Sequence, residues 1–276
     1  MNSSRENGDK GLDPREDGFP EGTDPLDNQV AGHRFGYSAT HLALLRHLES
    51  NDILKPICDK RSEREFRLYS KIWDSNHDFH EDIQTLRQFV PKMNGVFVDH
   101  KTGREYLRLE DMTNGMTSPS ILDVKIGPKT YDPEANERKI ASESGKYRFA
   151  ELLGFRLLGM RIYKSKDNEY IVKDKDYGIS LTPDTVNEAI TLFVQNNKAL
   201  ISEFGHQMRA IGEWFETHNT DKWQFISSSL LFAYDCNQSK ALVKMIDFAH
   251  VFPNEGRDDN YLFGLNKLIT YFDNLL

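Results

Sequence analysis

The sequence predicts an α+β protein of two lobes with a cleft between them. Strand-like runs crowd the first part of the chain, the larger remainder mixes such runs with long amphipathic helices, and no internal repeat is found. The 276 residues suffice for one large domain or two small lobes sharing a cleft. Hydrophobic residues make up 38% and charged residues 28%, a globular balance, and no apolar run reaches the roughly 18 residues of a membrane span, so a soluble chain is expected.

Residues 1–28 carry eight acidic and three basic side chains and almost no large apolar ones, so a disordered acidic tail is expected there. An N-terminal strand-rich lobe is expected over 29–110 and a mixed C-terminal lobe over 111–276. QVAGHRFG and ATHLALLRHL lead to DILKPIC, a strand-like run interrupted by a proline. SEREFRLYSKIW reads as a helix, with Ser62 capping its first turn and Phe66, Tyr69 and Trp73 on one apolar face. FVPKMNGVFVDH and REYLRLEDM read as strands joined by a turn at HKTG, and TNGMTSPS reads as a linker.

In the strand Ile121 to Ile126, alternation sends Asp123 and Lys125 to one face while Leu122, Val124 and Ile126 take the other. PEANERKIASESGKY reads as a helix, and FAELLGFRLLGMRIYKSKDNEYIVK is mixed with a strand-like end. VNEAITLFVQN and ALISEFGHQMRAIGEWFETHN are amphipathic helices, and FISSSLLFAYD and KALVKMIDFAHVF are strand-like around a turn at CNQSK. Trp214, Phe215, Tyr271 and Phe272 are assigned to the core.

The start of the chain lacks the basic and apolar segments of a secretory signal, so an intracellular protein is expected, in the cytoplasm, the nucleus or both. Cys58 and Cys236 form no CxxC pair and suggest neither a disulfide framework nor a zinc site. The net charge of −8 argues against a nucleic-acid partner, yet residues 1–28 supply −5 of it, which leaves room for a local basic pocket in the rest. GxSxG, HExxH, GxxxxGK[ST] and GxGxxG are all absent.

Five polar groups interrupt or end apolar strands: Lys55, Asp123, Lys125, Asp247 and His250. A charge there is costly to bury without a partner, a metal or a ligand. Taken singly, each is about as well explained as an edge lysine, a surface ion pair or a turn residue; together they suit phosphoryl transfer, which needs an ammonium on nucleotide phosphates, a carboxylate for magnesium and cations for an anionic acceptor.

PSILDVKIG resembles the PxxxDxKxG pattern of the inositol polyphosphate kinase family, SSLLFAYD its SSLL element and MIDFAH its metal-binding IDF element. QVAGH and the hinge at Leu109, Glu110 and Asp111 are similar too, and the resemblance runs from about Gln29 to the C-terminus. DVKIGPKTYDP is most similar to the inositol polyphosphate multikinase branch, and the short segment between Lys125 and LLGFRLLGMRIY lacks the long helical insert of the trisphosphate 3-kinase branch. The hexakisphosphate kinase branch shares that short segment and is the nearer competitor.

The resemblance implies a two-lobed, protein-kinase-like fold with ATP in the cleft and Mg2+ as cofactor. In it Lys55 contacts the ATP phosphates and Glu65 orients it, Glu110 to Met112 form the adenine hinge with Asp111 near the ribose, and Asp247 binds the metal. Asp123 faces the nucleotide, Lys125 bridges the transferred phosphoryl group and the acceptor, and His250 touches the inositol phosphate. Lys139, Ser142 and Lys146, at i, i+3 and i+7, are expected on one cationic helix face gripping ring phosphates. Lys60, Arg61 and Lys175 are weaker candidates for the pocket wall, and Ser228 and Ser229 for support of the metal site.

Ser142, Glu143 and Lys175 depart from the multikinase pattern, where glutamines often fill the first two positions. The implied reaction phosphorylates hydroxyls of inositol 1,4,5-trisphosphate and tetrakisphosphates toward pentakisphosphate. A phosphoinositide lipid headgroup is a further expected acceptor, and a monomer is expected. The alternatives are a pyrophosphate-forming hexakisphosphate kinase and a non-catalytic inositol phosphate sensor that recruits partners through its acidic tail.

Overall fold

The computed structural model of the chain describes residues 19–30, 43–74, 81–219, 223–237 and 240–276. Strands β1 (Thr23–Pro25), β2 (Leu45–His47), β3 (Ile53–Ile57), β4 (Met93–Val98) and β5 (Glu105–Leu109) form an antiparallel sheet in the order β1-β2-β3-β5-β4. Then come β6 (Pro119–Ile126), β7 (Phe155–Lys164), β8 (Glu169–Lys173), β9 (Trp223–Phe225), β10 (Ser229–Asp235), β11 (Lys240–Ile246) and β12 (Val251–Pro253). Five of these form a second antiparallel sheet, β11-β10-β6-β7-β8, and β12 pairs with β9. This is the α+β class expected from the sequence.

The tail expectation is corrected from residue 19 onward. Thr23–Pro25 pairs with Leu45–His47, and Phe19 packs on a small core of Leu45, Leu54 and Tyr106. The edge of β2 pairs with the backbone of this acidic segment, and the few side chains it packs inward, Phe19, Thr23 and Val30 among them, seat it. Residues 1–18, and Ala31 to His33 of QVAGH, lie outside the described residues.

Pro56 sits in β3, which pairs with β5 along its length but with β2 only at Ile53 and Leu54, so the proline lies beyond the reach of β2. Helix α1 (Lys60–Trp73) packs on β3 and β4. Its cap is Asp59 rather than Ser62: Asp59 accepts from the N–H groups of Arg61 and Ser62, and the Ser62 hydroxyl reaches back to complete a capping box. Its buried face is also shifted from the expected one, with Glu65, Leu68, Tyr69 and Ile72 buried and Phe66 and Trp73 only partly so.

Short helix α2 (Glu81–Leu86) precedes β4, and α3 (Glu137–Ser144), α4 (Ala150–Leu153), α5 (Lys175–Ser180), α6 (Val186–Val194), α7 (Lys198–Thr217) and α8 (Asp259–Asp273) follow, with α4, α5, α7 and α8 contacting the second sheet. The buried set on α7 runs Leu200, Ile201, Phe204, Met208, Ile211 and Phe215, the three-and-four spacing of a helix with one apolar face. Phe204 stacks with Phe193 and meets Phe232 edge-on at 5.2 Å, joining α6, α7 and β10. One core cluster runs from Leu68 and Leu107 through Val124 to Phe272, so α1 and both sheets share it. Among the described residues no helix is long and apolar enough to cross a membrane.

Helix α8 fixes the end of β6. Its Gly264 approaches so closely that a Cβ there would lie 2.1 Å from the Gly154 carbonyl oxygen and 2.6 Å from the Gly127 nitrogen. Gly127 follows the β6 strand with φ +92°, and a Cβ on it would meet Asn260 at 2.3 Å, so conformation and space both require glycine in the last position of DxKxG.

Candidate active site

Lys55 lies in β3 and Glu65 on the buried face of α1, and the helix brings the carboxylate to the strand. The Lys55 Nζ donates to Glu65 Oε1 at 2.9 Å and to Asp247 Oδ1 at 2.5 Å. The Phe248 N–H also donates to Glu65 Oε1, at 3.1 Å, so Glu65 ties the β3 lysine to the turn after β11. Burial opposes the Lys55 ammonium, but the Asp247 and Glu65 carboxylates outweigh it and hold its pKa above the ordinary lysine value. The same Lys55 charge holds Asp247 below the usual carboxylate range.

Asp247 has φ +63°, a left-handed conformation that costs a non-glycine residue on the order of 1 kcal/mol. The turn aims its carboxylate into the cleft, where the side chain remains 44% exposed. Across from it on β6, Asp123 is 5% exposed with its Oδ1 lacking a hydrogen-bond partner. Burial, then the Asp247 charge, pushes the Asp123 carboxyl up to about 7.

Asp123 and Asp247 are hard oxygen donors facing one cavity. Among the described residues no cluster of three or more His, Cys, Asp or Glu side chains stands ready to hold a metal alone. A magnesium ion takes one or two carboxylates together with substrate phosphates, so this donor set fits magnesium carried in with a nucleotide.

The cavity lies between the two sheets. Lys55, Glu65, Asp123 and Asp247 line its polar end, and Glu110, Asp111 and Met112 line the segment between the sheets. There the Asp111 Oδ1 accepts from the Thr113 N–H at 2.8 Å and hydroxyl at 2.7 Å, while Glu110 Oε2 accepts from the Lys92 N–H at 3.2 Å. Leu26, Asn28 and Val30 close one wall, and Asn28 donates to the Thr113 hydroxyl at 2.9 Å. Sequence reasoning missed Leu26 and Asn28 because it assigned the segment through residue 28 to a tail, whereas Val30 belongs to the QVAGH stretch where the resemblance begins.

Lys125 lines neither this cavity nor the one beyond the Asp247 turn, but is bonded to the wall of the latter. Its Nζ donates to the Ser227 carbonyl at 2.5 Å and hydroxyl at 2.8 Å, and burial lowers its pKa. Ser227 is itself left-handed at φ +58° and lines a second cavity. Arg61, Arg64, Asp132, Lys139, Glu143 and His250 also line that cavity. The IDFAH turn therefore serves both cavities, Asp247 in the first and His250 in the second. His250 Nδ1 is hydrogen-bonded to Asp132.

The helix bearing Lys139 is shorter than expected, which corrects the i, i+3, i+7 face. Asn136 caps the start of α3, Gly145 ends it, and Lys146 lies past the end. Lys139 and Lys146 nonetheless converge, because both Nζ atoms bind Glu143 Oε1, at 2.6 and 2.8 Å. Ser142 is exposed, and Lys175 opens α5 rather than a loop; neither they nor Lys60 line either cavity. Ser228 donates to the Phe225 carbonyl at 3.1 Å, a local backbone role, and Ser229 is buried opposite Lys125 on the neighbouring strand.

Arg64 was missed as well. Its guanidinium donates to the Ala249 carbonyl at 2.8 Å and to Glu134 at 2.9 Å, and stacks 4.2 Å from the Phe252 ring centroid. The Arg61 and Arg64 spacing on one helical face was a signal for it. Arg156, paired across strands with Lys125, has its pKa lowered by burial and adds a second cation there. Nothing in the sequence marks Arg156, which sits in an ordinary alternating strand.

A family model described as inositol polyphosphate kinase matches residues 106–273, more than half of the chain. Human inositol polyphosphate multikinase is 32% identical over 83% of this chain and 55% of its own length. Human inositol hexakisphosphate kinase 3 is 28% identical over 70% of this chain and 56% of its own length. The chain thus spans little more than half the length of these relatives. A crystal structure of the S. cerevisiae inositol phosphate multikinase with ADP and Mn2+ superposes with a TM-score of 0.65 and 26% identity, covering 81% of this chain and 98% of that one. The matched region holds Asp123, Lys125 and Asp247 together with both strands and the turn that aim them, and the chain belongs to the inositol polyphosphate kinase family.

Proposed function

We propose that the chain is an ATP- and magnesium-dependent inositol polyphosphate kinase of the multikinase type, which phosphorylates hydroxyls of inositol tris- and tetrakisphosphates toward pentakisphosphate. The observation that carries this reading is the arrangement of Lys55, Glu65, Asp123 and Asp247 at the polar end of one cavity, with His250 lining a second cavity across the same turn and Lys125 bonded to Ser227 in the wall of that second cavity. A nucleotide and an acceptor held in the two cavities would meet there.

Glu65 fixes Lys55, whose ammonium neutralises nucleotide phosphate charge. Asp123 and Asp247 would hold the magnesium, which supplies charge neutralisation at the terminal phosphates. Lys125 lies between the cavities and stabilises negative charge on the transferred group and the acceptor. Arg64, Lys139 and His250 line the acceptor side. Phosphoryl transfer through a loose transition state asks mainly for positioning and electrostatics, which this set of residues supplies.

The test is turnover of magnesium-ATP with inositol 1,4,5-trisphosphate, with products resolved by chromatography, for the intact protein beside Asp247→Asn and Lys125→Ala. Conversion through tetrakis- to pentakisphosphate, lost in both variants, is expected. Turnover of hexakisphosphate in place of trisphosphate would move the chain to the pyrophosphate-forming branch, and a parallel arm with phosphoinositide vesicles reports on the lipid headgroup. Binding without any turnover would leave a sensor.

A further inference from the structure

The cations on the acceptor side come with carboxylates of their own. Arg61 pairs with Asp59, Arg64 with Glu134 and Lys139 with Glu143. The Glu134 carboxylate is 67% exposed and free to turn aside, and Asp59 is 40% exposed and already engaged as the α1 cap, whereas the Glu143 carboxylate is 8% exposed. Its Oε1 accepts from both Lys139 and Lys146, and the Thr130 hydroxyl lies 3.4 Å from its Oε2. Glu143 also lies within the electrostatic reach of Lys125 and Arg156, at the phosphoryl-transfer end of the cavity.

We propose that Glu143 determines acceptor specificity, acting through Lys139 and Lys146 to limit how densely phosphorylated an inositol ring the site accepts. The inference rests on the acceptor reading of the second cavity. Two ammonium groups and one fixed carboxylate leave a single positive charge in this corner, which suits one phosphate beside a hydroxyl. A second phosphate there meets the carboxylate, and like charges brought together without water between them are strongly unfavourable. The carboxylate cannot swing out, because it is buried and held by both lysines. Nor does it readily take up a proton: burial favours that, but the bonds from Lys139 and Lys146 outweigh burial and hold Glu143 below the usual carboxylate range.

The experiment is calorimetric titration of the full chain and of Glu143→Gln, Glu143→Ala and Glu143→Asp with inositol hexakisphosphate and with inositol 1,4,5-trisphosphate. Trisphosphate turnover is measured alongside, and thermal unfolding identifies the folded variants. Gln and Ala both release the lysines, so in either one the hexakisphosphate Kd should fall by about tenfold relative to the trisphosphate Kd. The Asp variant keeps the charge and should stay near the wild-type ratio. An unchanged ratio in whichever neutral variant folds would overturn the proposal, as would an equal shift in the Asp variant. Tightening of hexakisphosphate by the neutral variants in a protein that does not turn over trisphosphate would support the Glu143 role while sinking the multikinase reading.

Discussion

Replacing Gly264 by alanine should destabilise the protein, although helix propensity alone argues the reverse. Alanine in a helix interior is favoured over glycine by about 1 kcal/mol. In α8, however, the new Cβ would stand 2.1 Å from the Gly154 carbonyl oxygen, where an ordinary carbon–oxygen contact is about 3.3 Å. The helix and the loop must separate by roughly 1.2 Å, and the atoms in the way are backbone. Gly127 donates to that same Gly154 carbonyl at 2.8 Å, so the displacement also strains the bond that closes the end of β6.

Overpacking costs about 1–3 kcal/mol and the weakened hydrogen bond about 1, which after the propensity gain leaves a net loss of about 1–3 kcal/mol. Urea unfolding reads this as a lower midpoint at unchanged slope. Gly212→Ala in α7 is the control, because its Cβ would meet only Leu265 Cδ2 at 3.5 Å, an ordinary contact. That variant should gain up to about 1 kcal/mol. A raised midpoint for Gly264→Ala, or shifts of the same sign in both variants, would refute the packing argument.

Glu65→Gln removes the charge that anchors Lys55 while keeping its shape; losing a charge-assisted bond of about 1.5–3 kcal/mol should lower kcat/KM by roughly 10- to 150-fold, and a change within twofold in steady-state assays would contradict the role. Asp59→Ala should cost about 1 kcal/mol through loss of the α1 cap, measured by urea unfolding near neutral pH. Against the burial that would raise it, the bonds Asp59 accepts from Ser62 and Arg61 hold its carboxyl down to about 2 in the folded protein, below the unfolded value near 3.8. Its contribution is therefore complete above the unfolded value and lost as the pH falls toward 2, so wild type and Asp59→Ala should converge there. A gap that stays constant from pH 5 to 2 would show that the cap is not the cause.

Much of the fold was readable because its signals are local. The alternation in ILDVKI and the three-and-four spacing in ALISEFGHQMRAIGEWF report which face is buried without reference to any partner. The errors lie where a neighbour supplies what the local sequence lacks. Thr23–Pro25 has no apolar pattern and becomes a strand because β2 offers an edge. Lys146 leaves α3 at Gly145, yet Glu143 draws it back to Lys139. Ser142 and Lys175 carry the expected chemistry but line neither cavity.

Within the candidate site, Lys55, Asp123, Lys125 and Asp247 stand out in the sequence alone, because charges in apolar strands need a reason to be there. What each of them meets was decided only by tertiary structure. Lys55 and Asp247 are 192 residues apart, and Asp132 and His250 are 118 apart. Periodicity encodes faces over a few residues, whereas an ion pair depends on how sheets and helices dock across the whole chain. The sequence by itself thus determined which residues carry the chemistry and which faces they occupy. Docking of α1, β6 and the β11 turn decided that Glu65 holds Lys55 and that Glu143 holds two lysines, because these contacts depend on distance in space and leave no periodic trace in the chain.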